Sequence, residues 1–269
     1  NLMTPVWFGV ALLCIGFLTF LVYTVMDTKL DRQEGGAAEG EAEEGFHLRD
    51  LIKIATNKGF WYISLLCVLF YSGVFPFLKY AVNMMVNKLG VSEIAAGRIS
   101  GVLPLGTIIL TPIIGHFLDR KGRGATLMIF GAGLLTGAHL IFALVPLNMF
   151  LAIFAIVVLG VAFSLVPASM WPSVPKIVEE RYLGSAYALV FLIQNVGLFF
   201  VPILIGLIRD AVNPGVADRI AVGDTTALYN YTVPMLIFAG LGICAMFLGW
   251  LLVREDKAKG YGLELPNKR

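Results

Sequence analysis

Long apolar runs separated by short polar turns organise this chain. A bilayer hydrocarbon core needs about 20 apolar residues per helix. Seven segments reach that length, over residues 5–26, 60–87, 94–118, 125–145, 149–171, 185–208 and 231–253. Lipid cannot satisfy an open backbone, so each segment is predicted to be a helix. The pattern breaks after the first span. Residues 33–45 read Gln-Glu-Gly-Gly-Ala-Ala-Glu-Gly-Glu-Ala-Glu-Glu-Gly, an acidic, low-complexity linker. Residues 47–58 then predict a short amphipathic helix on the membrane surface, with Leu48, Leu51, Ile52 and Ala55 on one side and Arg49, Lys53 and Lys58 elsewhere. The expected fold is an all-α polytopic membrane protein: a transmembrane helix at 1–26, a cytoplasmic linker with its surface helix at 27–59, and six spans with a cytoplasmic tail at 60–269.

Charge orients this arrangement. Segments 27–59, 119–124, 172–184 and 254–269 carry fifteen Lys or Arg, whereas 1–4, 88–93, 146–148 and 209–230 carry three, Lys88, Arg209 and Arg219. Positive residues concentrate on the cytoplasmic side, which places the N-terminus outside and the C-terminus inside. Composition agrees: 14% of residues are charged, against about 25% in soluble domains. The three cysteines, Cys14, Cys67 and Cys244, fall in separate apolar runs and read as small buried hydrophobes. There is no phosphate-binding glycine loop, metal-ligand cluster or nucleophile–base set, so no enzyme, no cofactor and no nucleic-acid partner is expected. The lipid bilayer is the expected surrounding.

One turn is unlike the others. Gly115-His116-Phe117-Leu118-Asp119-Arg120-Lys121-Gly122-Arg123 joins two spans by a tight, basic, glycine-bearing loop. The endings Thr111–Arg120 and Val201–Asp210 echo one another on opposite membrane faces, as a 3+3 inverted repeat requires. A further stretch runs Trp171-Pro172-Ser173-Val174-Pro175-Lys176, then Leu183-Gly184-Ser185-Ala186-Tyr187 and Gln194-Asn195-Val196-Gly197. On these motifs the chain resembles the C-terminal half of a major facilitator superfamily transporter, helix six plus helices seven to twelve. The turn follows the family's Gly-x-x-x-Asp-Arg-x-Gly-Arg loop through Gly115, Asp119, Arg120, Gly122 and Arg123, although the last basic position of the family pattern is Gly124 here. The Trp171 stretch and Phe75-Pro76-Phe77 are similar to the branch that holds the lysosomal dipeptide uniporter and its bacterial relatives. The resemblance implies alternating access on a small organic solute, possible dipeptide transport, and an N-terminal half, helices one to five, that this sequence does not include. A bacterial inner membrane is expected ahead of a lysosomal one.

Within that frame, few residues suit solute recognition. Lys79 is the only ionisable residue well inside a span apart from His139, and burying a lysine costs roughly 2.5–3.5 kcal/mol at a helix centre. Tyr71, Phe75 and Lys79 share a helix face at i, i+4, i+8, with Gly73 and Pro76 between them to bend the helix. The stripe reads as a cationic anchor for a substrate carboxylate with aromatic walls, or as a snorkelling lysine. Gln194 and Asn195, near mid-span beside Tyr187 and Phe191, suit either substrate hydrogen bonds or helix–helix contacts. Trp171 is a pocket wall or an interfacial aromatic, and Phe163 lies closer to the midplane. His139 falls in a peripheral helix of the family fold and reads as structural or lipid-facing. Gly115, Asp119, Arg120, Gly122 and Arg123, with Glu179 or Glu180 after the fifth span, form a candidate conformational gate in which Asp119 caps a neighbouring helix and Arg120 or Arg123 pairs with a glutamate. No Asp or Glu falls inside a span, so proton-coupling groups lie in the other half or the protein is a uniporter.

Seven spans with an outside N-terminus also fit a receptor or photoreceptor, but the last span has no lysine for a retinal Schiff base. A channel is a third reading, without a filter-like motif to support it.

Overall fold

The computed structural model describes residues 3–33 and 48–267 and divides the chain into two compact units, residues 1–47 and 48–269. The acidic stretch 34–47 lies outside the described residues. In the first unit, α1 (Thr4–Gln33) exposes its apolar side chains along its length. The hydroxyls of Thr19, Thr24 and Thr28 each donate to the carbonyl four residues earlier, at 2.8–3.0 Å. Each polar group is thereby satisfied within the helix, as an apolar medium demands.

The second unit is helical among its described residues. It opens with α2 (Leu48–Ala55), followed by α3 (Lys58–Leu89), α4 (Glu93–Lys121), α5 (Gly124–Leu144) and α6 (Met149–Met170). A 3-10 turn, α7 (Val174–Ile177) and a second 3-10 turn lead into α8 (Leu183–Ala211), α9 (Val216–Ala221) and α10 (Thr232–Lys259). Among the described residues, seven helices are long and apolar enough to span a bilayer. Side-chain caps set several starts. Asn57 accepts from the N–H groups of Gly59 and Phe60, and Asn148 from that of Leu151.

The surface helix docks differently from the sequence expectation. Among the residues of α2 whose burial is described, Ile54 is buried, at 2% exposure, while Ile52 is 63% exposed. The reason is a seat formed by Ile177, Val178 and Tyr182 next to Ile54. Lys53, itself exposed, donates from Nζ to the Tyr182 hydroxyl at 2.9 Å beside this seat.

In the bundle, α3 packs on α8 and α10, α5 on α6 and α10, and α4 on α6 and α3. Phe60, Phe70, Phe77, Phe142 and Phe238 fill the core. Apolar burial does not drive helices together in lipid, so close packing has to. A Cβ on Gly242 would lie 2.3 Å from Thr136 Oγ1, and one on Gly197 would lie 2.2 Å from a Val68 methyl. These contacts show how nearly the backbones meet. His139 sits inside this packing, fully buried, with Nε2 2.8 Å from the Gly73 carbonyl oxygen and its ring against Phe77 and Phe238. It is a structural histidine of the α3–α5–α10 contact and does not face lipid.

Polar contacts gather at the two ends of the bundle, and they sort as the charge bias does. At the end expected to be cytoplasmic, residues 260–267 fold back over the helix termini. Gly260 closes α10 with a φ of +72°. Leu263 is buried, its N–H donating to Asp256 Oδ1 at 3.1 Å. The N–H of Arg123 donates to the Glu264 carbonyl at 2.9 Å and that of Gly124 to the Leu263 carbonyl at 3.0 Å. The Glu264 carboxylate accepts from the N–H of Thr126 at 2.8 Å and from its hydroxyl at 3.0 Å. Lys176 Nζ donates to the carbonyls of Gly262 and Leu265, and the Tyr261 hydroxyl donates to Asn57 Oδ1 at 3.0 Å. One eight-residue segment thus ties α7 to the ends of α3, α5 and α10.

At the opposite end, Asn87 meets Tyr229, Asn213 meets Asn230, and Lys88 Nζ donates to the Phe142 carbonyl. The loop between α9 and α10 holds its own turn. Asp224 accepts from the Thr226 hydroxyl at 2.6 Å and N–H at 2.8 Å, and pairs with Arg219 at 2.7 Å. The Thr226 bonds, then Arg219, hold the Asp224 carboxyl down at about 2. A carboxyl lowered by folding stabilises its loop above the unfolded pKa of about 3.9, and that contribution is lost as pH falls through the folded value. The turn is therefore expected to persist at pH 5. Amide-exchange protection at Thr226, corrected for intrinsic rate, should match at pH 7 and pH 5; its loss by pH 5 would contradict the assignment.

Candidate functional site

Three helices build a continuous aromatic wall. From α3 come Tyr71 and Phe75, one turn apart, with ring centroids 5.7 Å apart and planes 18° from parallel. From α6 comes Phe163, edge-on to Phe75 at 5.4 Å and to Tyr71 at 5.7 Å. The last turn of α6 passes into the 3-10 turn Trp171–Ser173, which sets Trp171 across the end of this group. Its indole N–H donates to the Tyr71 hydroxyl at 3.1 Å, and its ring stacks on Phe191 of α8 at 4.7 Å. Tyr187 closes the corner, its hydroxyl donating to the Trp171 carbonyl at 3.1 Å. Gln194 of α8 is almost wholly buried and lies near enough to the Tyr71 hydroxyl to interact with it electrostatically.

Most of the residues singled out from sequence therefore converge. Tyr71, Phe75, Phe163, Trp171 and Gln194 form one connected group, with Tyr187 and Phe191 completing it. Phe75 and Phe191 keep one side exposed, at 41% and 48%. Lys79 lies one turn beyond Phe75 on the same exposed side of α3. Asn195 does not join. It sits about 100° further round α8 than Gln194, exposed, its amide N–H donating to the Phe191 carbonyl at 2.8 Å.

The geometry suits a flat or zwitterionic small solute. Ring faces and edges offer apolar contact with preferred orientation. Trp171 is held to Tyr71 by its indole N–H and to Tyr187 through its carbonyl, so the corner of the wall is fixed in place. Lys79 supplies the positive charge.

The basic turn is built differently from the sequence expectation. Gly115 has open space where a Cβ would stand, so no described neighbour requires glycine there. Gly122 has a φ of +72°, and a Cβ on it would lie 2.3 Å from the Glu264 carbonyl oxygen. Its glycine serves the returning tail rather than a helix–helix contact. Glu264 supplies the carboxylate at the start of α5, where Arg123, the N-cap residue, makes no side-chain bond. Asp119 has Asn267 Nδ2 among its partners, at 3.5 Å. Arg120 and Arg123 are exposed. The expected pairing of an arginine of this turn with Glu179 is replaced in this conformation by Arg181–Glu179 at 3.0 Å, two residues apart, which costs little chain entropy to form.

Glu264, Asp256 and Asn57 were not selected from sequence. The only signal was the Gly-Tyr-Gly-Leu-Glu-Leu-Pro run at 260–266, whose glycines and proline mark a turn without saying what it turns onto.

Comparison with known proteins places this geometry in a family. The description "Major Facilitator Superfamily" matches residues 4–202 and 80–265. A lysosomal dipeptide transporter, MFSD1, of Homo sapiens is 30% identical over 166 residues, covering 60% of this chain and 35% of that protein. The Mus musculus protein of that name is 27% identical over 208 residues, covering 76% and 44%. A putative tartrate transporter of Agrobacterium vitis is 26% identical over 172 residues, covering 64% and 34%. The chain thus spans between about a third and under half of these relatives' lengths. Among solved structures, a bacterial homologue of the human drug peptide transporters PepT1 and PepT2 aligns with a TM-score of 0.62 at 22% identity, over 78% of this chain and 44% of that one. Tetrameric PepTSo2 aligns with a TM-score of 0.61 at 20% identity, over 74% and 41%. These two alignments establish a shared fold. With its multi-pass helical architecture and a family match running from residue 4 to residue 265, the chain belongs to the Major Facilitator Superfamily.

Proposed function

We propose that the chain is the C-terminal half, helix six plus helices seven to twelve, of a secondary transporter that moves a small carboxylate-bearing solute, a dipeptide foremost, by alternating access. The observation that carries this reading is the aromatic wall joining α3, α6 and α8, open on one side and edged by Lys79. Relatives named for dipeptide and tartrate transport support the solute class, since both ligands carry carboxylates. That the chain covers 35% of its human relative supports a second half, helices one to five, completing the cavity. A seven-helix receptor finds no support among the relatives.

In this reading, Tyr71, Phe75, Phe163, Trp171 and Gln194 flank the solute and Lys79 attracts its negative end. Asn195 contributes from the exposed side of α8. The turn at Gly115, Asp119, Arg120, Gly122 and Arg123, with Glu179, belongs to the conformational cycle. For the compartment, we propose a bacterial inner membrane ahead of a lysosomal one; microscopy of the tagged protein decides.

The test is uptake into proteoliposomes by the intact transporter, with every segment its gene encodes. A panel of dipeptides, amino acids and organic acids is run with and without a proton gradient. Saturable uptake of a carboxylate-bearing solute is expected. Lys79→Gln should raise its KM about tenfold, the loss of one charge-assisted contact. An unchanged KM would overturn the role of Lys79. Uptake without a gradient indicates uniport.

A further inference from the structure

An asparagine one turn beyond Lys79 is held in one orientation by its surroundings. An amide can usually turn over, exchanging its donor and acceptor ends. Asn83 cannot do so freely, and the reason is a chain of fixed donors. The backbone N–H of Tyr229 can only donate, and it donates to Asn87 Oδ1 at 2.6 Å. That bond fixes Asn87 with its Nδ2 as the donor end. Asn87 Nδ2 reaches the Asn83 backbone carbonyl at 2.7 Å and Asn83 Oδ1 at 3.0 Å. Asn83 Oδ1 therefore accepts. It accepts a second bond, from the fully buried Tyr231 hydroxyl at 2.6 Å. Because Asn87 Nδ2 already fixes Asn83 Oδ1 as an acceptor, the Tyr231 hydroxyl is the donor of this bond.

Both acceptor positions of Asn83 Oδ1 are thus occupied, and its Nδ2 is left as a donor. The side chain is exposed, and no acceptor among the described residues takes its two N–H groups. Lys79 is exposed on the same helix, four residues earlier. Residues four apart on a helix have neighbouring Cβ atoms, about 6 Å apart. An ammonium and an amide donor therefore stand side by side, next to the open edge of the aromatic wall. Two adjacent donors with no acceptor between them match a ligand group that only accepts: a carboxylate, with two oxygens to share.

We propose that Lys79 and Asn83 bind the solute carboxylate together, Lys79 by charge and Asn83 by direction, with Asn87 and Tyr231 fixing the Asn83 donor. The inference rests on the carrier reading above and names the group of the solute that the α3 face selects.

The probes are dialanine and its C-terminal amide, competing for binding to the intact transporter in proteoliposomes. The wild-type protein should favour the free acid by tenfold or more, as expected for hydrogen bonds to a charged group. Asn83→Leu should reduce that preference about tenfold. Asn83→Asp keeps an acceptor for Asn87 and Tyr231, and so keeps the local fold, but presents a carboxylate to a carboxylate; it should abolish the preference. Both variants should weaken binding of the free acid more than that of the amide. If both keep the preference while Lys79→Gln loses it, the carboxylate reading stands and Asn83 has no part in it. If the wild-type protein itself shows no preference, the carboxylate reading fails and takes the Asn83 assignment with it.

Discussion

Replacing Gly122 with valine is expected to detach residues 260–267 from the α4–α5 turn and to lower the melting midpoint by roughly 5–10 °C, from a cost of about 2–4 kcal/mol. Two effects combine. The φ of +72° is strained for any residue with a Cβ, and most of all for a β-branched one. The added carbon would also lie 2.3 Å from the Glu264 carbonyl oxygen, 2.6 Å from the Leu265 carbonyl carbon and 2.7 Å from Pro266 N. These are backbone atoms, which cannot rotate away as a flexible side chain can. The tail must move, and its bonds to Arg123, Gly124 and Thr126 go with it. Gly137→Ala in α5 is the control, since a Cβ there meets nothing within 4 Å. Thermal melting in detergent reads the difference, and protease access to residues 260–267 reads its cause. Equal midpoints for the two variants would refute the account.

The second large effect is expected at Trp171, within the proposed site. Trp171→Ala removes the stack on Phe191 and the bond to the Tyr71 hydroxyl, leaving both walls without a shared corner. Solute uptake should fall at least tenfold through KM, in keeping with the weight of buried aromatic anchors in binding. Trp171→Phe restores ring contact but not the N–H, and Tyr71→Phe removes the acceptor of that N–H. Similar intermediate losses in these two variants would assign the residual effect to the hydrogen bond. A purely structural Trp171 predicts otherwise: the midpoint drops and KM stays unchanged among the molecules that remain folded. Measuring both quantities on each variant separates the cases.

Much of this protein was legible before any coordinates, for a physical reason. A bilayer imposes one length and one pattern on every span, so the membrane helices could be read from hydropathy alone. Their ends were less legible because polar caps continue a helix beyond the hydrocarbon: α3 begins at Lys58 under the Asn57 cap, and α10 runs on to Lys259. The aromatic group was legible in part. Tyr71, Phe75 and Lys79 declare a shared face by their spacing. That Trp171 reaches Tyr71 depends on the 3-10 turn after α6, and helical spacing says nothing of such a turn. Gln194 and Asn195 were indistinguishable as adjacent midspan amides, and the rotation of α8 alone separates them. His139 could not be placed from sequence because α5 is apolar on all sides; its packing against Phe77 and Phe238 decides. The contacts of Glu264 and Asn83 were hidden for a simpler reason. Each depends on residues more than a hundred positions away, and no local pattern encodes such partners.

The Glu264 bond has a consequence for biogenesis. The first turn of α5 is inserted into the membrane early, yet the carboxylate that satisfies Thr126 is made 138 positions later. Until the ribosome has delivered that glutamate, the amides at the head of α5 must rely on water at the membrane surface. Closure of this end of the bundle therefore waits until Glu264 has been made. A nascent chain stopped short of Glu264 would carry the seven spans but leave the head of α5 open.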